Sequence, residues 1–374
     1  MLSNNHLIPP GFTDNVSFDA YVEHEYKNSI INFFKINGFD LVKAPILEYA
    51  NNEEKNNFLI LSKKNEDLLK IRNDITPQIA RIVSSRLINK KRPLKLCYYG
   101  EVVRKKGTML RPERQFLQVG AEIIGSDNIY ADIEIIKLAY SALNKIGINE
   151  INIDLSSKIF LQNFIKKMNK TMNYNELLEA IKIKDINYSL SILENDKDKE
   201  HLYNIFSCNG NFKKINSNLD KLLKDEKQKK EIYKIRQLVK YLESFNINKI
   251  NLDLLETEET NDKNYYDGIK FTFFAKDVRG EVASGGRYSI INNGKSETAT
   301  GFTCYMDTVL RASSFKNSAK KILAPFDISE ELKNKLTNDG YVIFSIFEES
   351  SDIVSDAKKY GCSYYLEKSK ILKI

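Results

Sequence analysis

Four short segments hold the residues whose types and spacing could do chemistry. In Ile71-Arg72-Asn73-Asp74-Ile75-Thr76-Pro77-Gln78 a carboxylate and a hydroxyl meet at the start of a predicted helix, where they can hold an ammonium group. A second run, Cys97-Tyr98-Tyr99-Gly100-Glu101-Val102-Val103-Arg104, ends on a guanidinium. In the third, Arg114-Gln115-Phe116-Leu117-Gln118-Val119-Gly120-Ala121-Glu122-Ile123-Ile124-Gly125, Gln118 and Glu122 are an even number of residues apart and share one face of a strand. Glu122 is flanked by apolar strand residues, and a carboxylate in such surroundings demands a cationic or N–H partner. The fourth is Tyr265-Tyr266-Asp267-Gly268, followed by Gly285-Gly286-Arg287-Tyr288. Singly, each has a plain reading. Gln118 reads as an exposed strand amide, Tyr265 and Tyr266 as half-buried strand aromatics, and Arg104 and Arg114 as solvated loop charges. The segments carry weight only as a set.

The elements that must position this set follow from periodicity and turn residues. Pro9-Pro10-Gly11 makes a rigid opening loop, and residues 18–34 read as an amphipathic helix ended by Gly38. Residues 39–47 and 68–72 read as strands. Residues 74–87 read as a helix with Asp74 as its cap and Pro77 in its first turn. Residues 94–103 and 115–124 pair as an antiparallel hairpin around a basic tip, 104–114. A helix at 132–146 and a strand at 151–155 follow. From about 158 to 248 Gly and Pro nearly vanish and apolar residues recur among Lys, Glu and Asn, the pattern of an inserted helical module. Strands are expected again at 252–255, 269–274, 281–284 and 298–305, with a tight element at 284–288 and a helix at 306–313. Residues 315–374 read as a small α/β unit. Before that point the strands outnumber any βαβ rhythm, which predicts a mainly antiparallel sheet flanked by helices in an α+β core spanning 1–314.

Composition narrows the class. With 42% hydrophobic residues over 374, the chain can bury a sizeable core. No apolar run approaches the roughly 18 residues needed to cross a bilayer, and the first 19 residues contain no apolar signal segment, so a cytoplasmic protein without a membrane partner is expected. Cys97, Cys208, Cys304 and Cys362 are scattered, which argues against disulfides and a zinc site. No cofactor and no metal is expected. The net charge of +7 fits solvated lysine-rich helix faces, such as 221–230, better than a nucleic-acid footprint.

In order and spacing the four segments resemble the histidyl-tRNA synthetase family of class II folds, and more closely its regulatory paralogue, the regulatory subunits of ATP phosphoribosyltransferase. The resemblance covers about residues 9–312, apart from the helical insertion. It implies a class II synthetase-like fold in which Asp74, Thr76, Arg104, Gln118, Glu122, Tyr265 and Tyr266 surround free L-histidine. Asp74 and Thr76 would receive the α-ammonium, Arg104 and Gln118 the carboxylate, and Glu122 and Tyr266 the imidazole nitrogens.

Departures from the synthetase pattern point to function. The position of the arginine that steadies the α-phosphate in the synthetase is Asn261, and the closing motif has Thr308 where its arginine belongs. The adenine-contacting glutamate falls at Lys106. Losing one such clamp typically lowers a rate by ~10²–10³, so adenylation is expected to be absent. Residues 320–374 resemble a shortened anticodon-binding domain, so no tRNA partner is expected. The resemblance thus implies a non-catalytic subunit, a homodimer within a hetero-oligomer, that activates a short catalytic ATP phosphoribosyltransferase and carries feedback inhibition by histidine in the first step of histidine biosynthesis. A drifted but active histidyl-tRNA synthetase, and a paralogue that binds another amino acid or protein, are the rivals.

Overall fold

The computed structural model describes residues 7–16, 18–50, 57–61, 68–168, 173–256, 268–292, 295–313 and 320–374. The chain divides into two compact units, Met1–Ser314 and Phe315–Ile374.

The first unit opens with α1 (Phe18–Ile36), whose buried Val22, Tyr26, Ile30 and Phe34 recur every four residues and form one stripe. Gly38 then turns the chain at φ +83°, a conformation that side chains disfavour. Strands β1 (Asp40–Val42), β2 (Leu47–Tyr49), β3 (Phe58–Leu61) and β4 (Leu68–Ile71) precede α2 (Thr76–Ser85). The hairpin β5 (Leu94–Val103) and β6 (Gln115–Ile124) leads to α3 (Ile129–Lys145) and β7 (Ile151–Ser156). The insertion holds α4 (Ile159–Met168), α5 (Tyr174–Lys182), α6 (Ile186–Ser191), α7 (Asp196–Ser207), β8 (Gly210–Asn211), α8 (Phe212–Ile215) and α9 (Glu226–Ser244). Strands β9 (Ile250–Asp253), β10 (Lys270–Ala275), β11 (Ala283–Asn292) and β12 (Lys295–Tyr305) complete the unit with α10 (Met306–Ala312).

Nine strands form one sheet in the order β1-β5-β6-β12-β11-β10-β7-β9-β8. It is antiparallel except where β1 meets β5 and β7 meets β9. A second sheet, β2-β4-β3, stands apart. Strand β6 is central and buried on both faces. Its Leu117, Val119, Ala121 and Ile123 join the main core with α1 and α3, whereas Phe116 and Ile124 join a smaller core with Ile75, Ile79 and Val83 around α2. Each fully buried Ile or Phe in these layers contributes roughly 1.5–3 kcal/mol. Gln118 and Glu122 therefore lie on the α2 face, between two apolar layers.

Several boundaries differ from those expected. The strand at 39–47 is two strands in different sheets, because Pro45 lacks the N–H a continuous ladder needs. Asp74 does not cap α2: the N-cap position is Ile75, with no side-chain cap, and Asp74 Oδ1 instead accepts from the Ile75 N–H at 2.8 Å. Helix α3 starts at Ile129, three residues before the expected 132, because Asn128 Oδ1 caps it by accepting from the Tyr130 N–H at 3.0 Å; Asp132 lies inside the helix and pairs with Arg287 at 2.7 Å. The tight element at 284–288 is extended and belongs to β11. Its glycines permit close strand packing, since a Cβ at Gly285 would lie 2.1 Å from the Gly301 carbonyl.

The second unit runs β13 (Lys320–Pro325), α11 (Glu330–Asn338), β14 (Tyr341–Ile346), α12 (Ile353–Lys359), β15 (Tyr364–Glu367) and β16 (Lys370–Lys373). Its sheet order is β14-β13-β15-β16, with β13 parallel to both neighbours. Ser329 and Asp352 cap its helices. Apolar residues fill both faces, with Leu336 and Leu366 on one and Ala357 and Cys362 on the other. No described helix is long and apolar enough to cross a membrane. Among the described residues no cluster of His, Cys, Asp and Glu could hold a metal, and all four cysteines are buried free thiols.

Candidate functional site

A cavity of about 180 Å³ opens between the start of α2 and strands β6, β11 and β12. That is several times the roughly 30 Å³ share of one liquid water, so the space suits a small molecule. Asp74, Thr76, Arg104, Gln118 and Glu122 all line it, together with Ser284, Tyr288, Thr303 and Tyr305. Tyr265, Tyr266 and Asn261 lie outside the described residues.

Glu122 forms the floor. It is 1% exposed, and its Oε2 accepts from the Tyr288 hydroxyl at 3.1 Å. Its Oε1 accepts from Thr76 Oγ1 at 3.2 Å and, more weakly, from the Tyr98 hydroxyl at 3.4 Å. Tyr98 in turn shares hydrogen bonds with Thr76 Oγ1 at 3.0 Å and Thr303 Oγ1 at 2.7 Å. Burial pushes the Glu122 carboxyl up to about 8. The Tyr288, Thr76 and Tyr98 hydroxyls oppose that rise, and the nearby Asp74 charge adds to it. A carboxyl so placed is ready to exchange a proton with a basic N–H ligand, for which imidazole is a good match.

Asp74 stands closer to the mouth and is half-buried. Burial raises its carboxyl above the ordinary range. The Arg104 charge, a hydrogen bond from the Gln118 side chain and the backbone N–H groups of Ile75 and Thr76 act the other way. Gln118 is buried at 1% exposure, not on the surface as its residue type alone suggests. Its Oε1 accepts from the Ile75 N–H at 3.1 Å, so the amide braces Asp74 and the α2 start. Arg104 is no solvated loop charge either: its guanidinium lies 4.9 Å from the Phe116 ring centre. Arg114, outside the cavity, donates to the Pro10 carbonyl at 3.0 Å and closes the opening loop.

Tyr98, Tyr288, Thr303 and Tyr305 were not singled out by residue type and spacing. For Tyr98, as for Glu122 beside it, the available signal was a glycine on the neighbouring strand. Gly120 faces Tyr98, where a Cβ would come 2.4 Å from the hydroxyl, and Gly301 faces Glu122, where a Cβ would come 1.6 Å from Oε2. The cross-strand pairs Tyr98↔Gly120 and Gly301↔Glu122 make that signal readable, and they depend on the sheet order.

Beside the cavity, around α10 and the hairpin loop, the chain forms its own ion pairs. Thr308 is fully buried. Arg311 reaches Glu113 at 2.5 Å and Thr308 Oγ1 at 3.1 Å. Arg111 pairs with Glu281 at 3.1 Å and stacks 3.8 Å from the Tyr305 ring centre. Lys106 is exposed on the hairpin tip.

Residues 11–309 match the family model described as histidyl-tRNA synthetase. The chain is 30% identical to an ATP phosphoribosyltransferase regulatory subunit of Rhodospirillum centenum, over 98% of this chain and 96% of that protein. It is 29% identical to one of Paramagnetospirillum magneticum, over 100% and 99% respectively. Among solved structures it resembles an ATP phosphoribosyltransferase regulatory subunit/histidyl-tRNA synthetase from Bacillus halodurans. The TM-score is 0.78 at 22% identity, covering 95% of this chain and 96% of that one. A histidyl-tRNA synthetase from Nostoc sp. PCC 7120 gives a TM-score of 0.76 at 15% identity, covering 97% and 91%. The fold is thus that of the class II histidyl-tRNA synthetases.

Proposed function

The chain belongs to the histidyl-tRNA synthetase family and, within it, to the ATP phosphoribosyltransferase regulatory subunits, and on that premise we propose that it is a non-catalytic sensor of free L-histidine. The observation that carries the reading is the contrast around Glu122. A buried carboxyl ringed by three hydroxyls sits at the floor of an amino-acid-sized cavity, with Asp74 and Arg104 as opposite charges above it. Beside it, the nucleotide side has Thr308 in place of an arginine and holds Arg111 and Arg311 in ion pairs.

In this reading the ligand's imidazole meets Glu122, its ammonium meets Asp74 and its carboxylate meets Arg104. Gln118 acts as a brace for Asp74, and Tyr266 is the proposed second imidazole partner. The protein works in the cytoplasm as a homodimer within a hetero-oligomer. Its partner is a short catalytic subunit, which it activates and which it restrains when histidine binds. Histidine changes the complex only through a difference in affinity between its conformations. Such coupling is commonly ~1–3 kcal/mol.

Isothermal calorimetry on the full chain tests the first step: L-histidine should bind, ATP should not, and ATP–pyrophosphate exchange should be absent. Tight ATP binding without histidine binding would overturn the reading. Adding the chain to the short catalytic subunit should raise phosphoribosyl transfer, and histidine should then lower it.

A further inference from the structure

We propose that Met109 and Leu110, at the tip of the basic hairpin loop, form a docking knob that inserts into an acid-rimmed apolar pocket on the catalytic partner, an inference that rests on the regulatory reading above. Met109 is 100% exposed and Leu110 55% exposed, two adjacent apolar side chains presented to solvent. The tip is held in shape from within. The Thr108 N–H donates to the Arg111 carbonyl at 2.7 Å, and the Arg111 N–H donates to Thr108 Oγ1 at 3.0 Å. Lower down, the Arg104 N–H donates to the Arg114 carbonyl at 2.7 Å. A Cβ at Gly107 would lie 2.4 Å from the Pro112 carbonyl, so glycine lets the two arms of the loop close. A pre-shaped apolar tip loses little conformational freedom on docking, and methionine fits irregular apolar pockets.

Charge selects the occupant. Lys105 and Lys106 flank the tip and are exposed, which calls for an acidic rim. A second copy of this chain docking tip to tip would bring the same lysines against these, so like charges oppose that pairing. The tip is also joined to the cavity. Arg111, directly after Leu110, is buried and stacks on Tyr305, whose ring lines the cavity and whose hydroxyl bonds to Ser284 Oγ at 2.7 Å. Arg111 Nη1 is buried without a hydrogen-bond partner among the described residues, so its stacking on Tyr305 and its pair with Glu281 are what tie the tip to the cavity wall. A ligand that moves Tyr305 would therefore move the knob.

The test uses the full chain with Met109→Asp and Leu110→Asp together, mixed with the short catalytic subunit. Sedimentation should show assembly weakened at least thirtyfold. Histidine affinity by calorimetry should stay within twofold, since neither side chain lines the cavity, and the melting temperature should be unchanged. Met109→Leu should assemble as the wild type does. A photo-crosslinking residue at position 109 should capture the catalytic subunit. Wild-type assembly by the aspartate variant, loss of its histidine binding, or capture of a second copy of this chain would each overturn the docking site. If the wild-type chain binds histidine and assembles while the aspartate variant also assembles, only the docking site falls. If the wild type neither binds histidine nor assembles, the regulatory reading falls with it.

Discussion

Two buried polar regions lie side by side on the first unit's sheet, and they handle charge in opposite ways. Around Glu122, hydroxyls from three separate elements converge on one carboxyl, and no cation of the chain is within bonding reach of it among the described residues. Around Thr308, arginines and carboxylates pair with each other: Arg311 with Glu113, and Arg111 with Glu281. Burying a carboxylate without a counter-charge is costly unless the group stays protonated, whereas in the second region each arginine already has a carboxylate of the chain beside it. The first arrangement leaves a charge to be supplied by a ligand. The second supplies its own counter-charges.

The sharpest test of that contrast is the pH dependence of stability. Folded Glu122 keeps its proton up to about pH 8, whereas the unfolded chain releases it near the ordinary 4.5. Its contribution is therefore fully present below pH 4.5, fades as pH rises, and is gone above about 8, an effect of about 3–5 kcal/mol at ~1.4 kcal/mol per unit. Chemical denaturation of the wild type should show stability falling across that window relative to Glu122→Gln, in which this contribution is absent. Parallel curves for the two proteins would mean that Glu122 is ionised and paired.

Ligand binding should show the next largest effect. Glu122→Gln should weaken L-histidine binding by about 1.5–3 kcal/mol, the range of a charge-assisted hydrogen bond, while the fold survives. Wild-type affinity should be greatest between about pH 6.5, where imidazole titrates, and about 8, where Glu122 does. Within that window one proton serves both groups and none is exchanged with solvent. Outside it, affinity should fall by up to tenfold per unit. Calorimetry in buffers of different ionisation enthalpy reads the proton count directly, and a flat profile would place the imidazole elsewhere.

The smallest effect belongs to the other region. The Arg311–Glu113 pair is partly exposed, so Arg311→Ala should cost no more than about 1 kcal/mol of stability and leave histidine affinity unchanged. A tenfold loss of histidine binding in that variant would erase the distinction between the two regions.

The sequence by itself determined the local elements and the grouping of the site. The β5–β6 hairpin follows from apolar runs bounded by turn residues, and period two puts Gln118 and Glu122 on one face. The absence of arginine at 308 is likewise a fact of sequence, independent of how the chain packs. Tertiary structure decided what those residues touch. Gln118 braces Asp74 where α2 meets β6, and Tyr98 reaches Glu122 across the hairpin, whereas Tyr288 reaches Glu122 and Arg111 stacks on Tyr305 because β12 lies between β6 and β11 and brings together positions more than 150 residues apart. The same packing buries Glu122 between two apolar layers and so raises its proton affinity. Strand periodicity gives the face of a side chain. Its neighbours across the sheet, and hence its charge state, depend on long-range strand order, which no local pattern encodes.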